Sequence, residues 1–161
     1  MVDDFDREQA LILFERAYKF QMRGELGDAI YHYKRSVALF PTAEAYTFLG
    51  WAYSMMGRYQ EAIEACEKAI KVDPTFGNPY NDIGAYLIEL ERWEEAVPWL
   101  EKATVASRYD APEYPQVNLG RVHEHFGRYR QALACYNKAL ELEPLYRTAA
   151  WAKYLLLGRL S

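Results

Sequence analysis

AEAYTFLGWAYSMMGRYQEAIEACEKAIKVDPTF, residues 43–76, holds two amphipathic helical segments and a stop signal. In the first, Tyr46, Leu49, Gly50 and Tyr53 recur at spacings of three and four, which puts them on one helical face. Gly57 follows where a helix needs a left-handed cap residue. In the second, Ala62, Ile63, Cys66, Ala69 and Ile70 again share a face, and Pro74 ends the run because proline cannot continue a helix. Gly50 and Ala62 are small where two antiparallel helices would cross, so the backbones can approach closely. Tyr46, Leu49 and Tyr53 fill the space beside that crossing, and Ala69 is small where a further helix would dock. One hairpin cannot bury both of its faces, so the unit requires neighbours.

The neighbours are in the sequence. Gly24, Gly57 and Gly127 end three first helices, with Glu91 at the corresponding point of another. Ala29, Ala62, Ala96 and Ala132 recur every 33 to 36 residues on the second helices. Pro41, Pro74 and Pro144 keep the same rhythm, as do Ala17, Gly50, Gly84 and Gly120. This pattern resembles the tetratricopeptide repeat (TPR) family, whose unit is a helix–turn–helix of about 34 residues. The resemblance covers about residues 10–146. It implies an all-α fold, a right-handed α-solenoid of four TPR-like hairpins plus a C-terminal capping helix. The chain departs from the family in four ways. Leu13, Tyr46, Tyr80 and Gln116 stand where the family carries tryptophan, and Glu91 replaces a glycine. Copy three lacks its terminal proline, and two extra residues separate copies three and four.

At 161 residues the chain fits one domain, and 51% hydrophobic content supports a packed core. A net charge of −4 argues against nucleic acid, which requires a basic stripe, and against an electrostatic hold on anionic lipid. No apolar run approaches the roughly 18 residues of a membrane span. The N-terminus, MVDDFDREQ, is acidic and lacks the apolar core of a secretion signal, so a cytoplasmic location is expected, or a periplasmic one if a leader has been removed. Cys66 and Cys135 are on second helices and read as reduced core residues.

Taken in order, Asp6 and Gln9 have capping-box spacing, so the first helix is expected to begin near Asp6. Copy one spans about 10–42, with helices near 7–23 and 27–40. Copy two spans 43–76. Copy three spans 77–112, with helices near 77–90 and 93–107, and its end, ASRYDAPEYP, is the least regular link. Copy four spans 113–146, with helices near 114–126 and 129–142. Residues 147–160 form one more first-type helix, the cap such an array needs. Its inward face is expected to hold Ala150, Tyr154, Leu157 and Leu160, leaving Trp151 and Leu155 partly exposed.

Catalytic and metal chemistry find little support. His123 and His125 are two residues apart and point to opposite sides of a helix, whereas paired helical ligands need i, i+4 spacing. His123 occupies the slot of Tyr53 and reads as packing, and His32 reads as surface. The acidic pairs Glu94–Glu95 and Glu61–Glu64 fall beside Lys68, Arg92 and Lys102 on outer faces, a solvated charged surface. There is no Gly-rich phosphate loop or nucleophile elbow. No cofactor, no metal and no enzyme activity are expected.

The resemblance implies that first helices line a concave groove. Copy one offers it Leu11, Phe14, Glu15, Tyr18, Gln21 and Met22; copy two offers Glu44, Thr47, Phe48, Trp51, Ser54 and Met55. Copy three offers Asn78, Asn81, Asp82, Ala85, Ile88 and Glu89; copy four offers Tyr114, Val117, Asn118, Arg121, Glu124 and His125. From these, Phe14, Tyr18, Met22, Phe48, Trp51, Met55, Asn81, Asp82, Tyr114, Asn118 and Arg121 are the candidate partner-binding residues. Aromatic and methionine side chains mark adaptable recognition surfaces. Some family members grip chaperone C-terminal carboxylates with a Lys, Asn and Arg clamp, and here only Asn118 is of a clamp type. The groove acids Glu15, Glu44, Asp82, Glu89 and Glu124 outnumber the single base Arg121. The expected partner is therefore another protein, through a neutral-to-basic peptide or helix with a large apolar anchor near Trp51. The alternative is a self-assembling module, with a weak homodimer through the C-terminal helix. Residues 118–144, NLGRVHEHFGRYRQALACYNKALELEP, are similar to repeats of bacterial pilus- or envelope-assembly TPR proteins.

Overall fold

A computed structural model describes residues 3–161 of the chain. Among the described residues nine α-helices follow one another: α1 (Asp4–Met22), α2 (Leu26–Leu39), α3 (Ala43–Met55), α4 (Tyr59–Val72), α5 (Asn78–Glu89), α6 (Trp93–Thr104), α7 (Glu113–His125), α8 (Tyr129–Leu142) and α9 (Arg147–Leu160). Each odd helix pairs with the even helix after it, and each even helix packs on the next odd one, which stacks four hairpins into a solenoid with α9 at the end. The helices begin and end within a few residues of the expected bounds. The first starts earlier than the capping box suggested. Asp3, not Asp6, is the N-cap, and its carboxylate accepts from the Phe5 N–H at 3.1 Å.

The small residues stand at the crossings. A side-chain carbon on Gly50 would come within 3.0 Å of both the Ala62 carbonyl and the Cys66 sulfur. On Gly84 it would meet Leu100 at 2.4 Å, and on Gly120 the Tyr136 ring at 2.3 Å. Cys66, Leu100 and Tyr136 share one repeat position, with Tyr33 opposite Ala17 in the first hairpin. The small–large pair is thus the register that fixes each hairpin.

The four turns close in the same way. After α1, the Glu25 N–H donates to the Phe20 carbonyl at 2.9 Å and the Gly24 N–H to the Gln21 carbonyl at 3.0 Å. These two bonds are a Schellman closure, which requires a left-handed residue between them. Gly24, Gly57 and Gly127 supply it with φ of 78°, 73° and 72°. Glu91 adopts φ 59° in the third hairpin, although it carries a β-carbon.

The link after the third hairpin differs from expectation. The helix stops at Thr104 rather than near residue 107, its last turn tightening through bonds from Val105 N–H to the Lys102 carbonyl and Ala106 N–H to the Ala103 carbonyl. The chain then runs back along the preceding link. Arg108 N–H donates to the Thr75 carbonyl and Gly77 N–H to the Arg108 carbonyl, an isolated parallel bridge between Phe76 and Arg108. The Arg108 guanidinium lies 4.3 Å from the centre of the Phe76 ring and 2.9 Å from carboxylates of both Asp73 and Glu44. Tyr109 covers Gly77 so closely that any β-carbon there would overlap its side chain.

The face of α9 also departs from expectation. Ala149 and Leu156 are the buried residues, joining Val117, Ala132, Tyr136 and Ala139 in a small terminal cluster. Ala150, Tyr154, Leu157 and Leu160 are exposed rather than inward; Trp151 and Leu155 are exposed as expected. The repeat explains the correction. Ala149 and Leu156 match Pro115 and Val122 of α7, which are also buried. Ala150, Tyr154 and Leu157 match Gln116, Gly120 and His123, the side that α7 turns to its own second helix. No second helix follows α9 among the described residues, so that side stays open.

Candidate functional site

The first helices bring part of the expected groove together. Phe48, Trp51 and Met55 of α3, Asp82 of α5 and Tyr114 of α7 line one cleft of about 690 Å³. Their convergence follows from the stacking, which sets the same helical face of three successive hairpins side by side. A second hollow of about 490 Å³ lies toward the N-terminus, walled by Leu11 and Phe14 of α1 with Phe40, Glu44 and Phe48. Phe48 belongs to both. Its ring meets Phe14 at 5.2 Å and Trp51 at 5.7 Å, both edge to face, so the two hollows share a continuous aromatic wall. Tyr18 packs edge-on against Phe48 at 5.8 Å and is exposed, as is Met22, yet neither lines these two hollows.

Thr47, Ser54, Asn78, Ala85 and Glu89 of the expected groove set also line the cleft, whereas other candidates fall elsewhere. Asn81 is 5% exposed, buried between hairpins rather than open to the groove. The Asn118 amide donates to its carbonyl oxygen at 3.0 Å, and Arg121 donates to Asn118 at 3.3 Å. This polar ladder ties the third hairpin to the fourth, as a buried amide must find a partner. Arg121 lines a separate hollow with Trp93, Glu124, His125, Tyr136 and Arg159. Gln21, Ile88 and Val117 are likewise buried, and Thr47 is buried in the cleft wall.

Sequence reasoning missed Tyr59 and Tyr86, which complete the cleft floor with rings 6.0 Å apart. Tyr59 opens a second helix, and only the turn after α3 brings it back beneath the groove. The shared sequence signal was the tyrosine of GRYQEA, which also occurs in GRYRQA at Tyr129.

The electrostatics differ from a count of charges. Glu44 pairs with Arg108, Glu89 with Arg121 at 3.7 Å, and Glu124 with Arg159. Arg108 and Arg159 come from outside the groove-lining positions, so they escaped the sequence count. Asp82 is half-buried in the cleft wall, and desolvation raises its pKa to about 7, against a smaller opposing effect of its hydrogen bond with Asn81. The cleft itself holds two acids, Asp82 and Glu89, and no base.

Cys66 is buried and Cys135 half-buried, both as free thiols, and burial pushes both thiol pKa values up. His32 is half-buried rather than at the surface, 4.9 Å from the Phe20 ring. His125 stacks on Trp93 at 4.2 Å, and His123 is half-buried with desolvation holding its pKa down. Among the described residues no group of three His, Cys, Asp or Glu side chains gathers for a metal ion, and no helix is long and apolar enough to cross a membrane.

Comparison with known proteins agrees with this architecture. Residues 43–76 match one family model described as tetratricopeptide repeat, and residues 76–142 match a second of the same description. Small glutamine-rich tetratricopeptide repeat-containing protein 2 of Mycosarcoma maydis is 31% identical over 100 residues, 62% of this chain and 28% of that protein. The chain therefore spans little more than a quarter of that relative's length. PilF of Pseudomonas aeruginosa superposes with a TM-score of 0.87 at 23% identity, covering 96% of this chain and 70% of that one. YrrB, described as a TPR protein with an unusual peptide-binding site, superposes with a TM-score of 0.70 at 22% identity, covering 97% and 80%. At these identities the superpositions establish the fold.

Proposed function

The chain belongs to the tetratricopeptide repeat family, and from that premise we propose that it is a protein-interaction scaffold whose central cleft seats a peptide or helix of a partner protein. The observation that carries the reading is the aromatic wall of Phe48 and Trp51, open beside Met55 and Tyr114 in a cleft of about 690 Å³. That volume is in the range of sites that hold a ligand (about 300–1,000 Å³), and such sites combine apolar walls with a few polar groups. Large aromatic side chains anchor interfaces because they bury much area at little entropic cost. Asp82 and Glu89 are the charged groups lining the cleft; Glu89 already faces Arg121 at 3.7 Å, so Asp82 is the acid that favours a neutral-to-basic segment with an apolar anchor against Trp51. With three groove acids already ion-paired, apolar contact leads and charge selects. The peptide-binding site of YrrB supports the same use of this fold.

The test is selection of peptides from a random library on the full chain, followed by affinity measurement on variants. Selected peptides should be neutral to basic and carry a large apolar residue. Trp51→Ala should weaken them by about 30-fold, the equivalent of a hot-spot loss of about 2 kcal/mol. Asp82→Lys should slow association, more so at low salt. Acidic peptides that ignore Trp51→Ala would overturn the reading.

A further inference from the structure

We propose that the segment seated in this cleft can be α9 of a second copy of the same chain, so that the protein assembles head to tail. The inference rests on the cleft being a peptide- or helix-binding site, and adds the identity of one occupant.

The first support is the open side of α9. Trp151 and Tyr154 are 62% and 67% exposed, stacked on each other at 5.5 Å, with Leu157 beside them. Tyr154 and Leu157 lie on the side that the other odd helices cover with their own second helix, and Trp151, at the position of Val117, borders it. Contiguous large apolar side chains of this kind mark interaction surfaces in water. They are presented on a helix already held in place by Ala149 and Leu156, so little ordering is needed on docking.

The second support is charge. Helix α9 carries Arg147, Lys153 and Arg159 and no acid; Arg159 is already paired with Glu124, which leaves Arg147 and Lys153 as its free bases among the described residues. The whole chain carries −4, so everything outside α9 sums to −7, which is 16 bases against 23 acids. In the cleft Glu89 already faces Arg121 at 3.7 Å, so the lining acid left for a basic ligand is Asp82. A basic helix with aromatic anchors is therefore the ligand that the cleft's chemistry selects, laid apolar side down as amphipathic helices are in grooves.

The same comparison disfavours other self-contacts. Pairing α9 with α9 would face two basic helices. The end of the solenoid at α1 shows exposed Arg16, Lys19 and Arg23 where a preceding hairpin would dock, and those repel α9 as well. Because helix and cleft are different surfaces of one molecule, the contact is heterologous and extends into chains unless its rotation closes a ring.

The experiment is light scattering on the full-length chain and two variants, each checked for native helicity by circular dichroism. The wild type should exceed the 18.8 kDa monomer mass at high micromolar concentration, and added salt should reverse this. The helix variant Trp151→Glu/Tyr154→Glu and the cleft variant Trp51→Ala/Asp82→Lys should each stay monomeric. Mixed together they should form a complex that stops at two chains, since one supplies an intact cleft and the other an intact helix. A monomeric wild type throughout would overturn the assembly. A cleft variant that still self-associates would assign the contact to α9 pairing with itself. If the wild type stays monomeric while Trp51→Ala still weakens selected peptides, self-assembly falls and the cleft reading stands.

Discussion

Hairpins two and three flank the central cleft, and they reach the same shape by different means. In hairpin two the turn residue is Gly57 and the crossing pairs Gly50 with Cys66, and Pro74 stands in the short link that follows. In hairpin three the turn residue is Glu91, the crossing pairs Gly84 with Leu100, and the link is a longer segment pinned back by Arg108 and Tyr109. The repeat therefore constrains geometry at each position, not residue identity. Where hairpin three lacks the favoured residue, it is held by close packing at its own crossing and by a bridge from its closing segment to the link before it. Leu100 is fully buried against Gly84, and the 105–112 segment bridges to the link before α5.

The comparison breaks most sharply at the crossing. Gly84→Leu places a branched side chain where Leu100 already stands, and should cost about 3 kcal/mol, the upper end for overpacking. The thermal midpoint measures this; an unchanged midpoint would reject the register of the third hairpin. The turn should respond in the opposite direction. Glu91→Gly relieves a left-handed residue that carries a β-carbon, and should stabilise the chain by about 1 kcal/mol in denaturant unfolding. The smallest effect concerns pH. Asp82 titrates near 7 in the fold against about 4 in an unfolded chain. Between those values the unfolded chain has released this proton while the folded chain keeps it, so rising pH withdraws stability across that window. Below about pH 4 both forms are protonated and the penalty is absent. Asp82→Asn should flatten the stability profile between pH 4 and 7 and raise it above 7, which urea unfolding across that range would check.

The same two hairpins show how much was legible beforehand. Gly50, Gly84 and Gly57 could be read from spacing, because helical periodicity and left-handed caps are local rules that recur with the repeat. Phe48, Trp51, Met55, Asp82 and Tyr114 could be read as one face for the same reason, and they do converge. Asn81 and Asn118 were placed on that face too, but whether a polar side chain lines a groove or crosses to the next hairpin depends on the separation of helices. Tyr59 and Tyr86 were missed because they reach the cleft from positions that a helical wheel assigns to the hairpin interior.

The sequence alone determined that the chain is an all-α stack of hairpins, where each hairpin crosses and which helices share an open face, because each follows from period, small residues and turn chemistry within about 34 residues. Only the tertiary structure decided which side of α9 is buried, which groove acids are neutralised and where the third link runs. The open side of α9 depends on whether a second helix follows it. The charge state of the groove depends on Arg108 and Arg159, which reach Glu44 and Glu124 across hairpins. The pKa of Asp82 depends on how much water the stacked helices leave around it. These are contacts between repeats, and the pattern within one repeat carries no record of them.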